Sequence, residues 1–110
     1  MSRAAAANLA ENAPVFAALG DRTRLRIVAR LAGGDRLSIA RLTRGTGFSR
    51  QAVTKHLETL AGAGLVRSRK SGRERLWELE AARLARVGRS LQEISERWDE
   101  ALERLKRLVE

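Results

Sequence analysis

The chain has 110 residues, enough for one compact domain, and its composition is that of an ordinary globular protein, with 44% hydrophobic and 32% charged residues. It contains no cysteine and one histidine, which excludes disulfides and thiolate metal sites and leaves no clustered histidine ligands. The net charge is +9, and eight basic residues against two acidic ones lie between positions 44 and 75. This clustered excess predicts a polyanionic partner.

Several classes of protein are not expected from these residues. The chain has no glycine-rich phosphate loop and no acidic pair in a predicted cleft, so we do not expect an enzyme or a bound cofactor. No apolar run approaches the ~20 residues that cross a bilayer. We therefore expect no membrane association, no secretion signal in the alanine-rich start, and a cytoplasmic location.

Three short helices are predicted before residue 44. Residues 1–12 are expected to be flexible or to extend the first helix. Asn12 is the expected N-cap of the first helix, Asp21 or Thr23 that of the second, and Ser38 that of the third. The residues predicted to face the core from these helices are Val15, Phe16, Leu19, Leu25, Ile27, Val28, Leu31, Ile39 and Leu42.

A fourth helix, residues 49–61, follows a glycine-containing turn and is amphipathic. Ser49 is its expected N-cap, and Val53, Leu57 and Leu60 recur at i, i+4 and i+7 as the buried face. The opposite face carries hydrogen-bonding side chains, which is typical of a helix that reads base edges in the DNA major groove. The residues predicted to contact DNA from this helix are Ser49, Arg50, Gln51, Thr54, Lys55 and His56. For His56, packing near the core or touching a phosphate are both open.

The period then changes to that of a β-hairpin over residues 65–80, with Ser71 and Gly72 at its turn. Two short helices joined by a tight turn and followed by a hairpin predict a winged helix-turn-helix. The fold class is therefore mainly α with a small β-hairpin (α+β), over residues 13–80. The hairpin residues predicted to bind the DNA backbone or minor groove are Arg67, Arg69, Lys70, Arg73 and Arg75.

Residues 81–110 form one long predicted helix with apolar residues at alternating steps of three and four. A seam of this length favours a partner helix, so a homodimer is expected. The predicted interface residues are Leu84, Val87, Leu91, Ile94, Trp98, Ala101, Leu102, Leu105 and Leu108.

Four segments, together covering roughly Ala13 to Glu80, resemble the ArsR-type winged-helix repressors of bacteria. They are LGDRTRLRIVARL, SIARLT, FSRQAVTKHLETLAGAGLV and KSGRERLWEL. The resemblance implies a homodimeric repressor that binds palindromic double-stranded DNA and is released by an inducer. The thiol ligands of metal-sensing members would fall at Ser38 and Ala40, so metal sensing is rejected and the inducer stays unknown. An apolar ligand beneath the last helix is one option, and the absence of any small-molecule signal is another.

Two alternatives stay open at this point. One is a basic protein-interaction adaptor that assembles through the last helix, although an adaptor needs no basic hairpin. The other is an RNA-binding winged helix, which would be expected to expose aromatic residues for stacking. The chain has only four aromatic residues, and Phe16, Trp77 and Trp98 are predicted to be buried.

Overall fold

A computed structural model describes residues 3–109, without the side chains of Ala5 and Ala6. It contains six helices and three strands in this range. In chain order they are α1 (Arg3–Glu11), α2 (Ala13–Leu19), α3 (Arg22–Leu31), β1 (Leu37–Ser38), α4 (Ile39–Thr43), α5 (Arg50–Gly62), β2 (Val66–Ser71), β3 (Glu74–Leu79) and α6 (Ala81–Val109). The predicted fold class, mainly helical with a β-hairpin and a long last helix, is confirmed.

The amino terminus differs from the prediction. Residues 3–11 form a helix of their own that packs against α6 of the same chain; Met1 and Ser2, included in the predicted segment, lie outside the described residues. Asn12 is not a side-chain cap of α2. It is buried, and its amide nitrogen donates to the carbonyl of Asn8 at 2.8 Å, so it closes α1 instead.

The caps predicted for the next helices are confirmed. Asp21 begins α3 by accepting a hydrogen bond from the backbone of Arg24 at 3.0 Å, and Ser38 begins α4 by accepting from the backbone of Arg41. Each side-chain oxygen satisfies a backbone N–H that has no partner inside the helix.

One core packs α2–α5, the sheet and the start of α6 together. The prediction that Leu25 faces the core is wrong, because this residue is 49% exposed. Phe16, Leu19 and Ile39 are only partly buried against the core. The fully buried large side chains are Val15, Leu31, Leu42, Val53, Leu57, Leu60, Leu65 and Val87.

The sheet has three strands in the order β1-β3-β2, so the hairpin is not isolated. β1 pairs antiparallel with β3, Leu37 opposite Trp77, and was missed because two residues are too short to show a period of two. This strand ties the hairpin to the segment that precedes α4. We call residues 65–80 the wing.

Candidate nucleic-acid interface

The turn before α5 is fixed by glycines and by one threonine. Gly45 and Gly47 have φ of +77° and +78°, a region that residues with a Cβ avoid. The Thr46 hydroxyl donates to the carbonyl of Thr43 at 2.7 Å and accepts from the backbone N–H of Phe48 at 3.1 Å. The turn therefore sets the direction in which α5 leaves the domain.

Helix α5 keeps its apolar residues wholly inside. Val53, Leu57 and Leu60 have at most 1% of their surface exposed, as predicted. The Ser49 hydroxyl accepts from the backbone N–H of Ala52 at 3.1 Å and caps the helix. Burial of one face fixes the rotation of the helix, so the identity of the outward residues follows from it.

The outward face of α5 begins with residues free to bind a partner. Arg50, Gln51 and Lys55 are exposed, and Phe48, just before the helix, is 43% exposed. Thr54 is half-buried, and its hydroxyl donates to the carbonyl of Arg50 at 2.7 Å. Because that bond uses its proton, the hydroxyl can only accept from a ligand, and its methyl group is the other available contact.

His56 lies on a different side of α5. Its Nδ1 is 3.3 Å from the guanidinium of Arg24 and 4.0 Å from the carboxylate of Asp21, both at the start of α3. Arg24 also donates from Nε to the carbonyl of Ala18 at 2.5 Å. Of the two interpretations of His56, packing between helices is the one these contacts support, and its contact with DNA stays a prediction.

Asp21 is held ionised by its surroundings. The hydrogen bond from the backbone N–H of Arg24 is the main cause that lowers the pKa of Asp21 below its usual value. Burial opposes this shift, and the positive charge of Arg24 adds to it. The residue therefore both caps α3 and faces His56 across the helix junction. Sequence reasoning found the cap, but it did not find the link between α3 and α5.

The tip of the wing carries unpaired positive charge. The hairpin turns at Gly72, whose φ is +61°, and Lys70 and Arg73 beside it are exposed. Arg75 lies opposite Lys70 in the register and donates to the hydroxyl of Ser68 at 2.7 Å. None of Lys70, Arg73 and Arg75 has a carboxylate within 4.0 Å among the described residues. They are therefore available to an anionic partner, and their contact with DNA stays a prediction.

The arginines at the base of the wing, also predicted to contact DNA, differ from those at the tip because they are paired with carboxylates. Arg67 lies directly opposite Glu78 in the register. Its Nε is 2.7 Å from Oε1 of Glu78 and 2.8 Å from Oε1 of Glu80. The guanidinium of Arg69 lies 3.9 Å from the same oxygen of Glu78. Arg36, which precedes β1, lies 2.8 Å from the other carboxylate oxygen of Glu78. Arg67 and Arg69 are therefore not free cations.

The charge state of this cluster follows from the contacts. The hydrogen bond from Arg67 is the main cause that holds the pKa of Glu78 below its usual value, and the bond from Arg36 acts in the same sense. The same bond raises the pKa of Arg67. Both groups are thus ionised at neutral pH, as a pair of opposite charges requires. The signal in the sequence was present: alternation puts Glu78 and Glu80 on one face, and the turn at Gly72 sets Arg67 opposite.

Helix α6 divides into two parts. Val87 is 2% exposed and Leu84 is partly buried, both against the core of their own chain, so little of Val87 and only part of Leu84 is left for the predicted dimer interface. After Val87 most of the large apolar side chains of α6 are exposed in the single chain. Trp98, predicted to be buried, is 64% exposed. We call the set from here on the apolar stripe: Leu91, Ile94, Trp98, Ala101, Leu102, Leu105 and Leu108.

A cleft of about 480 Å³ lies between α1 and α6. Charged and amide side chains line it, including Asn12, Arg83, Arg86 and Glu93. It does not suit the apolar ligand considered from the sequence. In the part of the chain that the structure describes, no group of three or more His, Asp or Glu could hold a metal ion, and no helix has the length and hydropathy to cross a bilayer.

Comparison with known proteins gives consistent matches. A family model for a helix-turn-helix domain matches residues 19–69. The HTH-type transcriptional regulator Rv2034 of Mycobacterium tuberculosis is 38% identical over 93 residues, which are 84% of this chain and 83% of that protein.

Solved structures are similar over almost the whole chain. An ArsR-like transcriptional regulator from Rhodococcus sp. RHA1 is 41% identical, with a TM-score of 0.77 over 93% of this chain and 95% of that one. The homodimeric winged helix-turn-helix DNA-binding domain Mb0332 from Mycobacterium bovis, described as a possible ArsR-family regulator, is 26% identical, with a TM-score of 0.65 over 87% of this chain and 88% of that one.

Proposed function

Since this chain belongs to the ArsR-type family of winged helix-turn-helix transcriptional regulators, we propose that it is a homodimeric repressor of a palindromic operator. DNA binding is the property of the family.

Base recognition is assigned to the first turns of α5. Gln51 can form two hydrogen bonds with adenine, and Arg50 can form two with guanine. Thr54 accepts one hydrogen bond or contacts a thymine methyl group, while Lys55 lies one position further along the exposed face. The assignment is supported by the burial of Val53 and Leu57, which leaves these side chains directed away from the core.

Phosphate binding is assigned to the start of α5 and to the tip of the wing. The unpaired N–H groups of the first helical turn, next to Ser49, favour an anion. Lys70, Arg73 and Arg75 add three cations without carboxylate partners among the described residues. Such contacts fix the position of the protein on the duplex, whereas base contacts select the sequence.

Dimerisation is assigned to the apolar stripe of α6. Trp98, Leu105 and Leu108 are 64%, 57% and 82% exposed in the single chain. An exposed apolar strip of this kind marks an interaction site, and a second copy offers an identical helix. A two-fold dimer presents two copies of α5 about 34 Å apart, one turn of DNA, which is why a palindrome is expected.

Signal detection differs from metal sensing. The chain has no cysteine and one histidine, and that histidine contacts Arg24. A soft metal ion needs thiolate or clustered imidazole ligands. The proposed repressor therefore responds to something other than zinc or arsenic, or it has no small-molecule inducer.

The observation that carries the proposal is the pairing of an exposed donor-rich face on α5 with the unpaired cations at the wing tip. The test is binding of the purified protein to the DNA upstream of its own gene and to a scrambled fragment, at several salt concentrations. A sequence-specific complex of one dimer with a symmetric footprint is expected, and affinity that falls steeply with salt.

Two further results would decide the remaining points. A reporter driven by the footprinted promoter should be less active when the protein is expressed, and increased activity would contradict repression. Absence of binding to either fragment at low salt would overturn the DNA-binding function for this chain.

A further inference from the structure

The outer face of the sheet carries a line of charges that runs from β2 across β3 to the segment before β1. Glu78 is on the central strand β3, Arg67 faces it from β2, and Arg36 meets it from the segment before β1. Glu80 gives Arg67 a second carboxylate at 2.8 Å. Two carboxylates therefore hold the arginine that lies nearest to the base of the wing.

The wing has two rows of basic side chains, one on each face. Register pairs Lys70 with Arg75 on the face that continues into the core through Trp77. Arg67 and Arg69, one residue out of step, lie on the opposite face with Glu78. A ribbon that enters a groove about 6 Å wide has phosphates on both sides, so both rows are within the reach of DNA.

Only one row is available to phosphate. The inner row ends in cations without carboxylate partners among the described residues. In the outer row, Arg67 donates a hydrogen bond of 2.7 Å to Glu78 and forms an ion pair with Glu80 at 2.8 Å, and Arg69 lies 3.9 Å from Glu78. A charge-assisted bond between a guanidinium and a carboxylate is among the stronger hydrogen bonds in proteins. A DNA phosphate would have to displace the carboxylates to reach Arg67.

We propose that Glu78 is a specificity-determining residue that keeps Arg67 and Arg69 from binding phosphate and so limits sequence-independent binding by the wing. Contacts to phosphate strengthen binding to every sequence alike. Because Glu78 keeps two cations from binding phosphate, the base contacts of α5 supply a larger share of the affinity for DNA. This inference rests on the proposed DNA-binding function.

The test compares Glu78→Gln with Glu74→Gln on the full-length protein. Glu74 is on the same strand and the same face, is exposed, and has no basic partner within 4.0 Å among the described residues. Both variants lose one negative charge, so they share the long-range electrostatic effect and differ only in whether an arginine is released.

The expected result is a steeper dependence on salt for Glu78→Gln bound to the scrambled duplex. Each added phosphate contact steepens the slope of log affinity against log salt by about 0.9. With one or two released arginines, the affinity should fall about 3- to 12-fold more than that of the wild type between roughly 50 and 200 mM salt. Glu74→Gln should keep the wild-type slope, and only Glu78→Gln should show a reduced preference for the operator.

A second pair of variants identifies the arginine. Arg67→Gln in the wild-type background should leave the slope almost unchanged, because that charge is already neutralised. In the Glu78→Gln background the same change should remove about 0.9 from the slope. Arg73→Gln should remove about 0.9 from the slope in both backgrounds, because among the described residues no carboxylate pairs with Arg73 in either protein.

Three outcomes contradict the proposal in different ways. Parallel slopes for Glu78→Gln and Glu74→Gln, with normal binding by the wild type, overturn the role of Glu78 alone. A lower melting temperature and weaker operator binding of Glu78→Gln, without a steeper slope, assign it a purely structural role. A wild-type protein that binds neither duplex overturns the proposed function together with this inference.

Discussion

Helices α5 and α6 have similar amphipathic patterns and opposite fates in the folded chain. The apolar residues of α5 are fully inside, with Leu57 at 0% exposure, whereas Trp98 on α6 is 64% exposed. In α5 the polar face is the surface left over for a partner, and in the second half of α6 it is the apolar face. Periodicity therefore identifies a face, while the surrounding elements decide whether the face belongs to the core or to an interface.

The largest effect that tests this contrast is expected from truncating one leucine on each helix. Leu57→Ala should lower the free energy of unfolding by about 2–5 kcal/mol, because it leaves a cavity in a packed core. Leu105, 57% exposed, is the matched control. Urea unfolding at several protein concentrations should show a loss independent of concentration for Leu57→Ala.

The loss for Leu105→Ala should depend on concentration, since it acts through association of two chains. Equal losses at every concentration for the two variants would mean that the exposed half of α6 is part of the core in solution and does not differ from α5 in this respect.

Trp98 is expected to have the next largest effect, on association rather than folding. Aromatic residues at the centre of an interface often cost about 2 kcal/mol or more when truncated. Trp98→Ala should therefore raise the dimer dissociation constant at least about 30-fold, as measured by analytical ultracentrifugation.

Glu100→Ala, an exposed position away from the apolar stripe, is the control for helix propensity and should leave the dimer intact. A Trp98→Ala protein that remains as dimeric as the wild type would place the interface elsewhere on the molecule.

On α5, the exposed polar face should affect sequence preference without affecting the fold. Gln51→Ala should reduce the preference for the operator over scrambled DNA by about 1–3 kcal/mol, the value of one base-reading pair. Its melting temperature should stay near that of the wild type, because Gln51 is exposed. Competition binding with the two duplexes measures the preference.

An unchanged preference in Gln51→Ala would show that the recognition face has been assigned to the wrong residues. Glu58→Ala, further along the same exposed face, is the comparison, because it lies beyond the first turns that reach the bases.

The smallest expected effect concerns acid stability at the junction of α3 and α5. The pKa of Asp21 is lowered in the folded state from its ordinary value of 3.8. The ionised carboxylate therefore contributes fully to the free energy of unfolding above pH 3.8, and this contribution is lost as the pH falls through the lowered pKa. Asp21→Asn keeps a good N-cap but has no such titration.

Stability curves from neutral pH to below pH 3.8 should therefore converge for Asp21→Asn and the wild type at the acidic end. A constant difference between the two at all pH values would show that the charge of Asp21 contributes nothing to the fold.

Much of the fold and part of the site could be predicted because they depend on neighbours in the chain. Ser49 caps a helix through a bond to a residue three positions away, and Val53, Leu57 and Leu60 share a face by helical period alone. The exposed α5 residues follow directly from these two facts. The wing tip was predictable for the same reason, since Gly72 marks a turn and its neighbours have no strand beyond them to pair with.

What failed depended on contacts between distant segments. The sequence left open whether residues 1–12 are flexible or extend the first helix, and the helix over Arg3–Glu11 packs against α6, at least 70 positions away in the chain. Val87 fits the apolar seam by its spacing. It nevertheless packs into the core of its own chain, because the first turns of α6 lie against the domain and only the later turns extend beyond it. The sequence did not distinguish His56 from the other polar side chains of α5. Its position is set by a contact with Arg24, which is 32 positions away in the chain.

The sequence by itself determined the elements, their caps, the basic character of the wing and the absence of thiol chemistry, because these depend on residue type and on periods of two and 3.6. Only the tertiary structure decided which charges and which apolar residues remain available. Arg67 and Arg73 are the same residue type in the same hairpin. The first lies opposite Glu78 in the strand register, whereas the second lies in the turn, outside both strands, and has no carboxylate partner among the described residues.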